Sequence, residues 1–208
     1  YQDQGRYREA LELQTTGLRV REEIGDRPGI AMSYGNIGFV HLDLGETASA
    51  REFLSKSVQM QQALGMKTLL SATTAWLALA TAESGELQGG LALARGALTM
   101  ATGLGQKWFE GIACRSVGII LRMIWAEGSP GDEAIYTESA ESLRRSFSLF
   151  TEGHFEHEAA RSACELGRLL KMGGEIESGE RYIQQGVEIF QKLGAMGDLD
   201  RVLHSTRQ

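Results

Sequence analysis

The chain has 208 residues, with 21 Lys+Arg against 27 Asp+Glu for a net charge of −6, and 42% of its residues are hydrophobic. That balance is too apolar for a disordered chain, carries no basic footprint for nucleic acid, and contains no apolar run near the ~18 residues of a membrane span. Glycine is over-represented at 26 residues while proline is nearly absent at two, against usual levels of about 7% and 5%, so the glycines punctuate a regular structure rather than a linker or tail.

The N-terminal YQDQGRYREA holds neither an initiator Met nor a signal-peptide core, and it reads as a cut inside a longer chain. A helix-like pattern runs from Gly5 to Gly25, a second from Gly25 to Gly45 and a third from Gly45 to Gly65. Gly25, Gly65 and Gly105 form one series at intervals of 40, and Gly5, Gly45 and Gly85 form another. One unit is therefore helix, Gly turn, helix, Gly turn. Ile30–Glu46 aligns with Leu70–Glu86 and then with Gly111–Gly128, placing Gly38, Ala78 and Gly118 in one register. A small residue at that point offsets its own helix cost of ~1 kcal/mol by letting two helices approach. The intervening helices carry Ala10, Ala50 and Gly90 in a matching column, and Ala50, Leu54, Ser57 and Val58 form one amphipathic stripe.

After Gly105 the interval slips, with Gly153 and Gly194 as the next members. The Pro-Gly cluster AEGSPGDE (126–133) is the place for an inserted turn. Leu166-Gly167 then repeats Ile37-Gly38, Gly174 repeats Gly45, and GDLDRVLHS closes the chain as a short helix with Asp198 as its N-cap. No segment alternates with period two. The expected fold is all-α: a right-handed α-solenoid of about 4.5 helix-turn-helix units of period 40 plus a C-terminal capping helix. The boundaries fall at 1–25 (a truncated unit), 26–65, 66–105, 106–153, 154–194 and 195–208, in a single domain.

Tyr34, Asn36, Ile37, Gly38, Gly45 and Ala50 resemble the tetratricopeptide (TPR) pattern. The 40-residue spacing, the EEIGDRPGIA junction and the closing IFQKLGA…DLDRV are similar to the C-terminal TPR regions of bacterial STAND-type signalling ATPases, among them maltose-regulator-like activators and ATPase–cyclase fusions. The pattern departs from the family in lacking proline at unit ends and in carrying Ala78 where Gly is usual. The resemblance implies a concave ligand groove lined by the first helix of each unit. Carried over position by position, it assigns to that groove Asn36, Phe39 and Asp43, then Trp76 and Glu83, then Arg115, Ile119, Arg122 and Met123, and finally Arg161, Glu165, Arg168 and Lys171.

Catalytic signatures are lacking. There is no Gly-Lys dipeptide and so no phosphate loop, and Gly103-Leu-Gly105 has neither a third Gly nor a preceding strand. His154 and His157 in TEGHFEHE could share a helical face, but the bland reading is a polar helix start, and no metal or other cofactor is expected. Cys114 and Cys164 read as small buried hydrophobes and suit a reducing cytoplasm.

Arg115 and Arg122 are seven apart, as are Arg161 and Arg168, so each pair lies on one helical face. Two readings stand: these arginines pair with Glu110, Glu127, Glu158 and Glu165, or they form the acidic-ligand end of a groove whose other end carries Asp43 and Glu83. The function expected is a non-catalytic protein- or peptide-binding sensor or regulatory module of a larger bacterial signalling protein, with an ATPase or effector domain upstream in the same chain. The alternative is a free-standing adaptor that binds an acidic or C-terminal peptide. Neither reading involves direct contact with nucleic acid or membrane. Leu11, Leu18 and Val20 form an apolar edge through which the first helix is expected to self-associate.

Overall fold

The structure is a computed structural model that describes residues 6–128 and 132–205. Among these residues it is all-α, with ten helices and no strand: an α-solenoid class of helix-turn-helix repeats. The helices are α1 (Tyr7–Ile24), α2 (Arg27–Asp43), α3 (Thr47–Ala63), α4 (Lys67–Glu83), α5 (Leu87–Leu104), α6 (Lys107–Glu127), α7 (Glu133–Glu152), α8 (Glu156–Met172), α9 (Ile176–Leu193) and α10 (Met196–Ser205). They group into two compact units, α1–α5 and α6–α10.

The turns explain the glycine interval. Gly25, Gly45, Gly65, Gly85, Gly105, Gly174 and Gly194 all sit at positive φ, between 64° and 93°, the left-handed conformation that closes a helix and that only glycine adopts without a Cβ penalty. The slip after Gly105 has a local counterpart. Gly153 is right-handed (φ −84°), and the left-handed position is taken by the next residue, His154, at φ 59°. Gly5 lies outside the described residues.

In the first unit, successive helices pack on one another through a core of small side chains, with Ala31, Ala50, Ala75, Ala78, Ala94 and Ala97 fully enclosed around Ile37, Val40 and Leu54. Asp26 caps α2 by accepting from the Gly29 amide at 3.0 Å, with Pro28 in the first turn, where a missing N–H costs nothing. The edge expected on α1 is arranged differently. Val20 is exposed, but Leu18 is buried and Leu11 packs partly against Tyr7, Ala10 and Val40, because those two share the inner face. The exposed apolar residues of α1 are Leu13, Val20 and Ile24.

The second unit has a larger-residue core: Phe150, Leu143, Ile112, Ile120, Leu166, Leu169, Leu170 and Phe190. The turn expected at 126–133 lies partly outside the described residues. α6 continues as helix to Glu127 and is 21 residues long, where α2, α4 and α8 have 17. Gly128 is extended and Asp132 caps α7 through the amides of Ala134 and Ile135, while 129–131 lie outside the described residues. Much of the insertion is thus spent as an extra helical turn. The closing helix starts at Met196, so Asp198 lies inside its first turn instead of capping it.

The small-residue column marks the helix crossings. A Cβ at Gly38 would stand 2.6 Å from Leu54 Cγ, and one at Gly118 2.6 Å from Leu143 Cγ. Where the third unit has Ala78, its partner supplies the glycine: a Cβ at Gly90 would meet the Ala78 carbonyl at 2.7 Å. At the α8–α9 crossing both residues are glycine, and a Cβ on Gly167 would lie 2.6 Å from the Gly179 carbonyl oxygen. Backbone cannot give way as a side chain can, so Gly167→Ala is expected to lower stability by about 1–3 kcal/mol. Gly96 lies mid-helix in α5 with nothing within 4 Å of an added Cβ, and Gly96→Ala should raise stability by about 0.5–1 kcal/mol. Urea unfolding of the two variants beside the parent chain checks both signs.

Candidate functional site

The expected groove residues of the first unit fall into two sets. Phe39 of α2 and Trp76 of α4 stack, with ring centroids 4.5 Å apart and planes at 26°, each ring half-buried. The remaining three do not join that stack. The Asn36 amide donates to Gln14 of α1 at 3.3 Å, Glu83 at the end of α4 accepts from the Thr47 hydroxyl at 3.3 Å, and Asp43 is half-buried at the end of α2.

The second unit brings its expected residues together as a ladder. Arg115 and Arg122 of α6 lie two helical turns apart, as do Glu158 and Glu165 of α8. Arg115 pairs with Glu158, and Arg122 pairs with Glu165 at 3.1 Å. Arg115 is held on every side: only 6% exposed, it also donates to the Glu158 carbonyl at 3.1 Å and the Ser162 hydroxyl at 3.4 Å, and its guanidinium lies 5.3 Å from the centre of the Phe150 ring. Glu165 is shared, because Arg168 pairs with it from within α8. Arg122 turns one terminal nitrogen toward Met172 Sδ at 4.0 Å, and its buried Nε has no hydrogen-bond partner. The third rung joins α8 to α10: Arg161 pairs with Asp198 at 2.9 Å, and His157 Nε2 lies 3.1 Å from the same carboxylate. Ile119 packs partly against Leu166, Leu169 and Leu170, Met123 is half-buried, and Lys171 pairs with the exposed Glu180 at 3.6 Å.

The pairing reading of the arginines therefore holds for Glu158 and Glu165. Glu110 is taken by Arg145 of α7, and Glu127 is an exposed residue at the end of α6. The sequence reading missed Asp198 and His157 as ladder members. Their signal was present, since Glu158 and Asp198 are each the third residue of their helix and forty residues apart. His154 precedes α8 in the turn, so it does not share a helical face with His157, and no His/Cys/Asp/Glu group among the described residues could hold a metal ion. Cys114 and Cys164 are buried free thiols, and burial pushes both up to about 12, far from the reactive thiolate range.

Burial by itself would raise the ladder carboxylates, but the guanidiniums overcome it. Arg115 holds Glu158 far below the usual carboxylate range, Arg168 and Arg122 lower Glu165, and Arg161 brings Asp198 down to about 2. The three carboxylates face the guanidiniums of Arg115, Arg122, Arg161, Arg168 and Arg201.

Charges this deep are stable only as sets. Glu165→Ala takes the shared carboxylate from two half-buried arginines, so unfolding by urea should show a loss of about 1–3 kcal/mol. The carboxylates bind protons less readily folded than unfolded, so their contribution is complete above about pH 4.5 and lost as pH falls, for Asp198 between 3.8 and about 2. Acid unfolding of the parent chain should accordingly begin in that window.

Residues 1–63 match the family profile of the tetratricopeptide repeat. A search of curated protein sequences finds no significant match. Among solved structures, the apo form of RapI shares the fold with a TM-score of 0.68 and 18% identity over 90% of this chain, which spans 63% of the RapI chain. BtubC (BKLC) from P. vanneervenii gives a TM-score of 0.60 and 15% identity, covering 92% of this chain and 76% of that one. The nearly identical TPR-like repeats of a putative kinesin light chain from Podosopora anserina give 0.55 and 18%, covering 92% and 90%. At these identities the likeness is one of fold. The chain is thus an all-α helical-repeat protein whose first 63 residues match the tetratricopeptide repeat and whose described helices share the fold of TPR-like structures.

Proposed function

We propose that the chain is a non-catalytic module that binds an acidic segment of a protein or peptide on the α6–α8 face. The TPR-type fold favours a protein- or peptide-binding role in general, and the observation that carries the finer reading is how Arg122 is held. Glu165 is divided between Arg122 and Arg168, and Arg122 keeps Nε and one terminal nitrogen clear of any carboxylate. A guanidinium has five N–H donors, and an incoming carboxylate that meets the terminal nitrogen facing Met172 gains charge-assisted hydrogen bonding. Met123 and Met172 beside it offer adaptable apolar contact for a neighbouring side chain. No helix among the described residues is long and apolar enough to cross a membrane.

The wider setting follows the sequence resemblance: a cytoplasmic sensing or regulatory arm of a larger bacterial signalling protein, whose ligand would shift the parent between two states only if it binds them with different affinity. A free-standing adaptor for acidic or C-terminal peptides is the second reading, and it uses the same arginines. The reading frame upstream of Tyr1 separates the two: an ATPase, cyclase or helix-turn-helix domain there favours the first, and further repeats alone favour the second.

Reversing charge at Arg122 or Arg168 would place another carboxylate beside buried Glu165 and disturb folding, so the neutral Arg168→Gln is the cleaner probe of binding. A labelled Glu/Asp-rich hexapeptide with a free carboxyl terminus is expected to bind with an affinity that falls with salt. Arg168→Gln should weaken it at least tenfold, and an all-Gln, amidated hexapeptide should not bind. Equal affinity for both peptides, or for both proteins, in fluorescence anisotropy would remove the arginines from the proposed site.

A further inference from the structure

α10 is short, with ten residues, and an isolated helix below about 12–15 residues is marginal in water. Its order therefore depends on its seat. The apolar part of that seat sets Ala195, Leu199 and Val202 against Ala160, Cys164, Val187 and Phe190, with Ile183, Ile189 and Leu193 packed against them. The polar part centres on one carboxylate. Asp198 is 3% exposed, and a carboxylate that deep must be matched by cations. It meets two across the α8–α10 contact, Arg161 at 2.9 Å and His157 Nε2 at 3.1 Å. Only one of those two cations can lose its charge near neutral pH.

The imidazole is itself enclosed. Its Nδ1 lies 3.8 Å from Glu158, and its ring meets Phe190 of α9 edge-on with centroids 5.6 Å apart. The charged groups around it are Asp198 from α10, which Arg201 of the same helix also faces, Glu158 and Arg161 from α8, and Arg115 from α6, which reaches it through Glu158. α9 presents the apolar Phe190 to the ring, with its Lys192 paired to exposed Glu156 at 3.0 Å. A protonated His157 thus lies between two carboxylates, each already held by an arginine. A neutral His157 can still donate to Asp198, but without the charge that strengthens the bond.

We infer that α10 is a pH-gated latch: it seats firmly on α8 and α9 while His157 is protonated, and loosens when that imidazole becomes neutral. The inference stands on the α8–α10 contact alone and does not depend on which ligand the arginines bind. Burial would hold the imidazole down, but the hydrogen bond to Asp198 and the neighbouring Glu158 outweigh it and push it up to about 8 from 6.5. Protonation therefore favours the seated helix. The contribution is complete below about pH 6.5 and is lost as pH rises through about 8, a change of up to about thirtyfold in the seating equilibrium. Loosening would uncover the Ala160, Val187 and Phe190 face and release Arg161 from Asp198.

Hydrogen exchange on the full chain tests this, with rates corrected for their intrinsic pH dependence and expressed as protection factors. Between pH 6 and pH 9 the protection of the amides from Leu199 to Ser205 should fall at least tenfold, while the interior of α8 keeps its protection. His157→Gln, which keeps a donor and cannot titrate, should abolish that pH dependence. Unchanged protection of α10 between pH 6 and pH 9, or the same fall in His157→Gln, would overturn the latch. So would an NMR titration that places His157 at or below 6.5 in the parent chain, a readout that needs no substitution.

Discussion

The closing of each helix pair on a residue without a side chain is the constraint from which the other features follow. At Gly38, Gly118 and Gly167 the facing helix comes so near that a single methyl group would collide. Helices this close interlock their ridges, which fixes the register within each pair. The column moves between partners without being lost, since Ala78 is answered by Gly90 on the next helix. The turns obey a related rule: a left-handed residue ends the helices at Gly25, Gly45, Gly65, Gly85, Gly105, Gly174 and Gly194, and the forty-residue interval is the length of two such helices with their turns.

Register then decides what the charges can do. Arg115 and Arg122 meet Glu158 and Glu165 because both pairs repeat every two helical turns on facing helices. A half-turn slip would leave four charges in apolar surroundings, at a cost of several kcal/mol for each stranded partner. The ladder differs from a surface ion pair, which is worth little, because Arg115 and Asp198 are nearly enclosed. Arg122 and Arg168 both reach the one Glu165 carboxylate.

The helices, their order and the small-residue register were legible in the sequence because glycine spacing and apolar periodicity are local signals. Gly38, Gly118 and Gly167 could be placed by pattern alone. Packing settled the remaining positions. At His154, Asp198 and the 126–133 insertion, the local signal was ambiguous by one to three residues, and tertiary packing chose: the left-handed turn fell on a histidine, and Asp198 was drawn inside its helix by Arg161 and His157. At Arg115 and Arg122 pairing with Glu158 and Glu165 was one of two readings open from residue type and spacing; the partners lie 43 positions away, so packing decides which of the four glutamates each arginine takes. Asn36, assigned to the groove by family pattern, donates to Gln14.

The proposed binding face requires that Arg122, whose carboxylate partner Glu165 also pairs with Arg168, can take an external carboxylate. The most direct measurement follows the arginine Nε–Hε resonances of the full chain while the acidic, carboxyl-terminated hexapeptide is added. The account predicts saturable shifts of the Arg122 and Arg168 signals, with Arg115 unmoved because Glu158, Ser162 and Phe150 already enclose it. Shifts confined to other residues, or none at all at saturating peptide, would contradict it.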